Sequence, residues 1–277
     1  MKGKANMSEA VVKVENICFQ YDKRGDRVIH DVSFQVKKGE WVSVIGDNGS
    51  GKSTIAKLLV GLVQHTSGQI YINQIKMDDN TIWSIRQHIG MVWQNPDNQF
   101  IGTTVEDDVA FSLENLNMSY AEMKERVNHS LQLVGISKLS RMDPSLLSGG
   151  QKQKVALAGV LALHPQLIIL DEAFVMLDPK SRNSIIRILQ ELKKKEKLTI
   201  ISITHDMAEA ASADRIIQLR TGKVNFDGAP KDYFDNVCDW EVPVADRLRR
   251  LLITKGKELP RNFMTEAELV KWFGNSI

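Results

Sequence analysis

The sequence has little of what disulfide-stabilised, membrane-spanning or secreted proteins need. Only two of its 277 residues are cysteines, Cys18 and Cys238, too few for a zinc site or a disulfide framework, which favours a reducing compartment. The longest nearly apolar run, Val155–Leu163, is too short to cross a bilayer. No hydrophobic segment follows the first lysines, so no signal peptide is expected. We therefore expect a cytosolic protein, which would dock on a membrane rather than insert into it if it serves a membrane process.

An excess of charge of one sign is also missing. The chain has 36 basic and 34 acidic residues, for a net charge of +2. Because binding to a polyanion needs clustered positive charge, no nucleic-acid partner is expected. A hydrophobic fraction of 43% is ordinary for a globular protein with a real core, and the length suits one or two domains.

What the sequence does contain is a glycine-rich loop, Gly46–Thr54, with the spacing G-x-x-x-x-G-K-[ST]. It lies between a predicted strand, Trp41–Ile45, and a predicted helix, Ile55–Val63. Glycines allow backbone N–H groups to surround phosphate oxygens, and the helix adds its positive end. Lys52 would reach the β- and γ-phosphates, and the Ser53 hydroxyl would hold Mg²⁺. The candidate nucleotide-binding residues are Gly46, Asn48, Gly49, Ser50, Gly51, Lys52, Ser53 and Thr54.

An alternative interpretation of this loop is a glycine-rich turn that binds nothing. The strand before it and the helix after it favour the phosphate loop, because both are part of the motif's mechanism. The sequence therefore predicts that the chain binds a nucleoside triphosphate.

Two stretches before the loop, Val11–Phe19 and Val28–Val36, have the pattern of strands and are predicted to form an antiparallel pair. Tyr21 lies at the end of the first of them. It is either a half-exposed aromatic at the sheet edge or a surface on which an adenine ring stacks. Its position alone leaves both interpretations open.

After the loop, strands are predicted at Ile70–Ile72 and Ile89–Trp93, the second leading to Gln94. The polar and proline-containing loop that follows Gln94 leads into predicted helices at Val105–Leu113 and Tyr120–Val134. The segment therefore has the pattern of a helical insert in an α/β core.

The insert ends at Leu147–Gln151, which opens a predicted amphipathic helix, Lys152–Leu163. A serine and two glycines at a helix start are consistent with an ordinary N-cap. The same arrangement also makes a second anion site, with free N–H groups at a positive helix end. Two phosphate-type sites far apart in one sequence suggest a ligand shared between two copies.

The apolar strand Leu167–Leu170 ends in Asp171 and Glu172. Asp171 would serve Mg²⁺, and Glu172 would orient or deprotonate the attacking water. Alone, such a pair is better explained as solvent-exposed acidic residues, but the phosphate loop upstream favours the catalytic interpretation. His205 follows another predicted strand, Leu198–Ile203, and only its context distinguishes it from a structural histidine.

The composition changes near Pro230. Two short amphipathic helices are predicted at Val242–Ile253 and Thr265–Phe273, with no catalytic pattern. The arginines of the first, at 247, 249 and 250, are interpreted as a solvated face. We interpret the whole tail as an interaction module.

Five motifs in this order resemble those of the ATP-binding cassette (ABC) ATPases, over residues 11 to about 230. They are Gly46–Thr54, Gln94, the signature Leu147–Gln151, the LIILDE run at 167–172, and His205. The resemblance implies an α/β fold: a P-loop core, an antiparallel β subdomain and a helical subdomain, with a small C-terminal helical extension. It also implies ATP and Mg²⁺ as ligands, bound between two cassettes arranged head to tail.

The resemblance assigns a role to each motif. Tyr21 would stack on adenine, Gln94 would sense Mg²⁺ and the membrane partner, and His205 would contact the γ-phosphate. Asp178 would belong to a loop that crosses the dimer interface. The residues expected to bind the ATP of the opposite subunit are Ser148, Gly149, Gly150 and Gln151. The expected domains are residues 1–230, with a helical subdomain at about 95–165, and the extension 231–277.

A narrower resemblance follows Gln94. The runs NPDNQF at 95–100 and TVEDDVAFSLEN at 104–115 resemble cassettes of energy-coupling factor (ECF) importers, and most the first of the two ATPases in the vitamin-type module. This implies uptake of vitamins or transition-metal ions, with three partners: a second ATPase, a transmembrane coupling protein and, indirectly, a substrate-binding membrane protein. The implied location is peripheral, at the cytoplasmic face of the membrane.

The sequence departs from the wider family at one position. Val175 stands where many ABC ATPases have serine, which removes a hydroxyl from the loop before Asp178. Two alternatives to the importer remain open: a cassette of another ABC transporter type, or a soluble ABC ATPase acting on nucleic acid or ribosomes.

Overall fold

Two β-sheets organise the computed structural model, which describes residues 10–22, 25–96, 99–116, 118–236 and 242–275. The strands are β1 (Ala10–Phe19), β2 (Ile29–Lys37), β3 (Trp41–Gly46), β4 (Ser67–Ile72), β5 (Ile75–Lys76), β6 (Ile89–Val92), β7 (Leu167–Asp171), β8 (Thr199–Ile203), β9 (Arg215–Arg220) and β10 (Lys223–Gly228). Strands β2, β1, β4 and β5 form an antiparallel sheet in that spatial order. The predicted antiparallel pair of β1 and β2 is confirmed.

The second sheet has the order β10-β9-β3-β8-β7-β6 within the described residues. Its strands pair in parallel except for β10, which is antiparallel to β9. Strands β7 and β8 are buried along their whole length, because helices or the other sheet cover both faces. The carboxyl ends of β3, β7 and β8 lie at one edge, which is where ligands bind in open α/β sheets.

The helices cover both faces of this sheet. They are α1 (Lys52–Leu59), α2 (Ile82–Arg86), α3 (Val105–Phe111), α4 (Tyr120–Leu133), α5 (Gly149–Ala162), α6 (Pro179–Glu196), α7 (Met207–Ala211), α8 (Pro230–Asn236), α9 (Val244–Thr254) and α10 (Glu266–Asn275). One core joins α1 to both sheets, and a second joins α3–α6 to the opposite face of the parallel sheet. The predicted fold class is confirmed.

Several helix boundaries differ from the predicted ones, and local chemistry explains two of the differences. The helix after the phosphate loop ends at Leu59, because Gly61 adopts a left-handed conformation with φ +65° that ends the helix. The helix after the signature begins at Gly149, three residues before the predicted start. There Ser148 and Gln151 form a capping box, in which each side chain satisfies the other's backbone N–H.

Helix α8 and the chain that precedes α10 share a third core with the parallel sheet. Phe263, which precedes α10, stacks on Phe234 of α8, and Phe234 packs edge-on against Tyr233. Within the described residues, no helix is long and apolar enough to span a bilayer. The segment predicted to be an interaction module therefore packs on the rest of the chain through aromatic contacts.

The interpretation of the tail arginines as a solvated face is wrong for one of them. Arg249 is only 2% exposed, and its Nε donates to the buried Asp246 Oδ1 at 2.6 Å. Arg250 donates to the other oxygen of Asp246 at 2.6 Å, and Arg249 also reaches the Pro260 carbonyl at 2.9 Å. A buried carboxylate needs such partners. Arg249 fixes α9 to the chain that follows it, and Arg250 fixes α9 to α8 by donating to the Phe234 carbonyl at 2.8 Å.

Candidate nucleotide-binding site

The phosphate loop has the conformation that its glycines predict. Gly49 and Gly51 have φ values of +82° and +101°, in a region that other residues rarely adopt. A Cβ at Gly51 would also lie 2.5 Å from the Ile29 Cδ1 atom. The Ser50 hydroxyl is buried in the loop, and no described residue bonds to it. Backbone and hydroxyl donors are therefore gathered at the start of α1, where an anion is favoured.

Lys52 lies against the loop rather than in solvent. Its Nζ donates to the backbone carbonyls of Gly46 at 2.7 Å and Asp47 at 3.0 Å. Burial lowers the pKa of Lys52, and the negative charges of Glu172, Asp171 and Asp47 partly oppose that shift. The ammonium group is thus held in place by the loop that is predicted to bind phosphate.

Ser53 and Asp171 meet at the end of β7. The Ser53 Oγ donates to the Asp171 Oδ1 at 3.0 Å. Burial raises the pKa of Asp171, the hydrogen bond from Ser53 opposes the shift, and the nearby charge of Glu172 adds to it. A cation at these oxygens would favour the ionised carboxylate, and oxygen ligands of this kind suit Mg²⁺.

The three predicted catalytic residues form one cluster. Gln94 Nε2 donates to Glu172 Oε2 at 2.7 Å, and His205 Nδ1 lies 3.7 Å from the other carboxylate oxygen of Glu172. Glu172 has φ +50°, an uncommon conformation for a residue with a side chain, and its N–H donates to the Ile203 carbonyl at 2.9 Å. Backbone strain of this kind is found most often at functional sites.

Tyr21 lies beside the phosphate loop, as the adenine-stacking interpretation requires. Its hydroxyl is 3.1 Å from Thr54 Oγ1, and Phe19 packs edge-on against its ring. The residue is 59% exposed, so a face of the ring remains accessible. This position is compatible with both interpretations of Tyr21, the edge aromatic and the adenine-stacking surface.

The signature lies in a different cluster from the phosphate loop. A Cβ added to Gly150 would be 3.1 Å from the carbonyl oxygen of Met176, in the loop that precedes Asp178. Asp178 caps α6, accepting a hydrogen bond from the Ser181 N–H at 3.0 Å, and bonds with Ser181 lower its pKa. The capping box of Ser148 and Gln151 confirms the N-cap interpretation of Ser148. A phosphate role for the signature stays a prediction.

The sequence reasoning missed three polar residues that support these motifs. Gln153, on the buried face of α5, donates from Nε2 to the Trp93 carbonyl at 2.9 Å, next to Gln94. Arg182 and Glu209 lie near His205, on α6 and α7. The sequence signal that could have identified these three residues is a polar or charged side chain at a position that helical periodicity predicts to be buried.

Together, the parallel sheet, the phosphate loop at its carboxyl edge, the carboxylate cluster and the separate signature helix define an ABC-type ATP-binding cassette. The family model described as ABC transporter matches residues 29–175, more than half of the chain. Two solved structures have the same fold. CbiO1 of Clostridium perfringens, described as part of the ABC transporter complex CbiONQ, has a TM-score of 0.78 and 32% identity, covering 88% of this chain and 95% of that one. The dimeric cassette MJ0796 bound to ADP and Pi has a TM-score of 0.73 and 30% identity, covering 79% and 98%.

Curated relatives identify the branch. The energy-coupling factor transporter ATP-binding protein EcfA1 of Ligilactobacillus salivarius is 45% identical, over 95% of each chain. Its counterpart in Streptococcus agalactiae is 47% identical, over 94% of this chain and 95% of its own. The chain belongs to the energy-coupling factor transporter ATP-binding proteins of the ABC transporter family. It is an ATP-hydrolysing subunit of a transporter of that type.

Proposed function

We propose that the chain pairs head to tail with a second, different ATPase and drives a transmembrane coupling protein at the cytoplasmic face of the membrane. The cargo would be a vitamin or a transition-metal ion, held by a separate substrate-binding membrane protein. One observation carries the paired arrangement: the signature cluster and the Lys52 cluster are separate in this chain. A second cassette would supply each with its counterpart, and the MJ0796 cassette provides a dimeric example.

We infer that Mg²⁺ accompanies ATP, held by Ser53 and Asp171 with Gln94 nearby. No cluster of three or more His, Cys, Asp or Glu side chains in the described ranges could hold a metal ion alone. Because Mg²⁺ is commonly bound through one or two protein ligands plus phosphates, the site fits a metal that arrives with the nucleotide. The bound ion would neutralise charge on the β- and γ-phosphates.

In this proposal each residue of the cluster has a distinct task in hydrolysis. Glu172 orients the attacking water and accepts its proton, and the hydrogen bond from Gln94 fixes the direction of its carboxylate. His205, which lies beside the other carboxylate oxygen of Glu172, would contact the γ-phosphate. Lys52 and the loop N–H groups bind the phosphates, and Tyr21 holds the adenine.

The loop after Gln94 is the proposed contact with the membrane protein. Phe100 packs into the core of the helical subdomain, whereas Ile101 is 67% exposed. Asp97 and Asn98 of the NPDNQF run lie outside the described residues. Because Gln94 contacts Glu172, a change at the nucleotide can reach this loop directly.

Replacing Ile101 with Asp is expected to release the ATPase pair from the membrane protein while basal ATP hydrolysis stays within about twofold of the original. A hot-spot residue at a protein interface contributes about 2 kcal/mol or more, and this prediction assigns that role to Ile101. Co-purification of the membrane protein with the ATPases measures the effect, and Glu106→Gln on α3 serves as a surface control. Full retention of the membrane protein by the Ile101 variant would remove this residue from the interface.

The tail is proposed to hold the two ATPases together while their nucleotide faces open. On α9 the side chains of Val244, Leu248 and Leu251 are exposed and share one face, at spacings of four and three residues. The opposite face carries the buried pair of Asp246 and Arg249. The apolar face is exposed, and the opposite side of α9 is held by the buried ion pair. Such an exposed apolar face suits a contact with another subunit.

Changing Leu248 and Leu251 together to Glu is expected to weaken the nucleotide-free ATPase pair by about tenfold or more, because charge would enter an apolar contact. ATP affinity at Lys52 should be unchanged. Size-exclusion chromatography with light scattering measures pairing, and Lys231→Glu places an acidic residue at an exposed position on α8, outside the apolar face of α9. Undiminished pairing without nucleotide would exclude the tail from this role.

Affinity purification from membranes tests the assignment as a whole. We expect a second ATPase and a multi-span membrane protein to co-purify with the chain. Ribosomes or nucleic acid in their place would favour the soluble alternative, and a membrane partner that binds its own cargo would favour another ABC transporter type.

A further inference from the structure

A charged contact joins the start of α6 to the segment that carries His205. Asp178 caps α6, and one turn later Arg182 donates its backbone N–H to the Asp178 carbonyl at 2.9 Å. The Arg182 Nη1 donates to Asp206 Oδ2, and both side chains are 27% exposed. The residue next to His205 is therefore tied to the helix that begins at the proposed dimer-crossing loop.

Asp206 also fixes the backbone around His205. Its other oxygen, Oδ1, accepts hydrogen bonds from the N–H groups of Ala208 at 2.8 Å and Glu209 at 3.2 Å, which caps α7. Its own N–H donates to Thr204 Oγ1 at 3.0 Å. One carboxylate thus holds a helix start and an arginine at once, with His205 between Asp206 and Thr204 in the chain.

Glu209, the other acidic residue near Arg182, does not pair with it. Glu209 is buried, and its carboxyl hydrogen-bonds with the side chains of Thr204 and Ser202. Burial raises the pKa of Glu209 to about 8, and the nearby charge of Asp206 raises it further than Arg182 lowers it. Because Arg182 Nη1 donates to Asp206 Oδ2 while the Glu209 carboxyl is bonded to Thr204 and Ser202, Asp206 is the acidic partner of Arg182 in this cluster.

We propose that Arg182 and Asp206 are positioning residues that couple the loop of Asp178 to His205. The proposal rests on the roles proposed above for Asp178 and His205. When the partner ATPase contacts Asp178, the start of α6 moves or becomes fixed, and the ion pair transfers that change to Asp206. Because Asp206 also caps α7, the backbone of His205 follows. Pairing with the second ATPase would thereby place His205 for hydrolysis.

The test compares Arg182→Gln, Asp206→Asn and the double variant in the assembled ATPase pair. Asparagine caps helices as well as aspartate, so Asp206→Asn removes the charge and keeps the cap. We expect each single variant to lower kcat by about tenfold, with KM for ATP changed less than about threefold, because the ion pair positions His205 and does not contact the nucleotide-binding residues. The double variant should be no slower than the slower single variant.

Two controls separate positioning from simple stabilisation. Lys193→Gln removes another ion pair of α6, with Asp214 at 2.6 Å, away from His205. It should leave kcat unchanged, and Arg182→Lys should recover part of the activity lost in Arg182→Gln. Unfolding temperatures of the Arg182 and Lys193 variants should be similar.

Unchanged kcat in Arg182→Gln and Asp206→Asn would overturn the proposal, as would independent, multiplying effects in the double variant. A loss of kcat in Lys193→Gln as large as in Arg182→Gln would overturn it too, because any weakening of α6 would then suffice. The His205→Ala variant distinguishes a failure of the proposed His205 role from a failure of the proposed coupling. If that variant hydrolyses ATP normally, the proposed role of His205 fails; if it is inactive while the Arg182 variants are normal, only the coupling fails.

Discussion

Replacing Glu172 with Gln is expected to slow ATP hydrolysis by about 10²–10⁴-fold, the usual contribution of a general base. Glutamine has the same shape and can still accept the hydrogen bond from Gln94, but it cannot take a proton from water. ATP binding should therefore persist. With hydrolysis blocked, the two cassettes should accumulate in a closed, ATP-bound pair.

Single-turnover hydrolysis, nucleotide binding and light scattering in the presence of ATP measure these three effects. Glu191→Gln makes the same chemical change at an exposed position on α6, and it should leave hydrolysis unaltered. Near-normal turnover by the Glu172 variant would assign the base elsewhere. Loss of ATP binding would instead mean that Glu172 has a structural role in the site.

The signature is expected to act on the ATP of the opposite cassette. The Gly149→Asp substitution would place a negative side chain where the γ-phosphate is predicted to lie. Gly149 is the better position for this change, since an added Cβ there comes no closer than 3.7 Å to Met176. Gly149→Ala adds the same backbone restriction without the charge, and it should be much less harmful.

Lys52→Ala supplies the second element of this test. It should weaken ATP binding at its own site by about 10- to 100-fold, because a hydrogen bond to a charged group contributes about 1.5–3 kcal/mol. Its loss leaves phosphate charge without its nearest cation. Unchanged ATP affinity in this variant would refute the phosphate-loop assignment.

Combining the two changes in one pair distinguishes action in trans from action in cis. When Gly149→Asp in this chain meets a partner that lacks its own phosphate-loop lysine, both defects fall on one composite site and the other stays intact. When Gly149→Asp and Lys52→Ala are together in this chain, both composite sites are damaged. We expect hydrolysis in the first pair and none in the second. The reverse result would show that the signature acts within its own chain.

The sequence by itself determined the class of fold and predicted most residues of the candidate site, because both depend on local patterns. Apolar runs such as Leu167–Leu170 can be satisfied only as buried strands, and the glycine spacing of the phosphate loop suits only a strand-loop-helix turn. The order of the strands in each sheet was not predicted from the sequence and comes from the structure. The sequence contains both residues of the capping box, Ser148 and Gln151. The predicted helix nevertheless began at Lys152, because the two glycines between them are poor helix formers.

The tertiary structure alone decided which residues meet. Gln94 and His205 reach Glu172 from strands far apart in the chain, and Gln153 reaches Trp93 from another helix. It also decided which side chains are exposed: Arg249 is buried, although its neighbours suggested a solvated face. Periodicity gives the faces of a helix but not what covers them. Contact and burial depend on how distant segments pack, and local sequence does not encode that packing on its own.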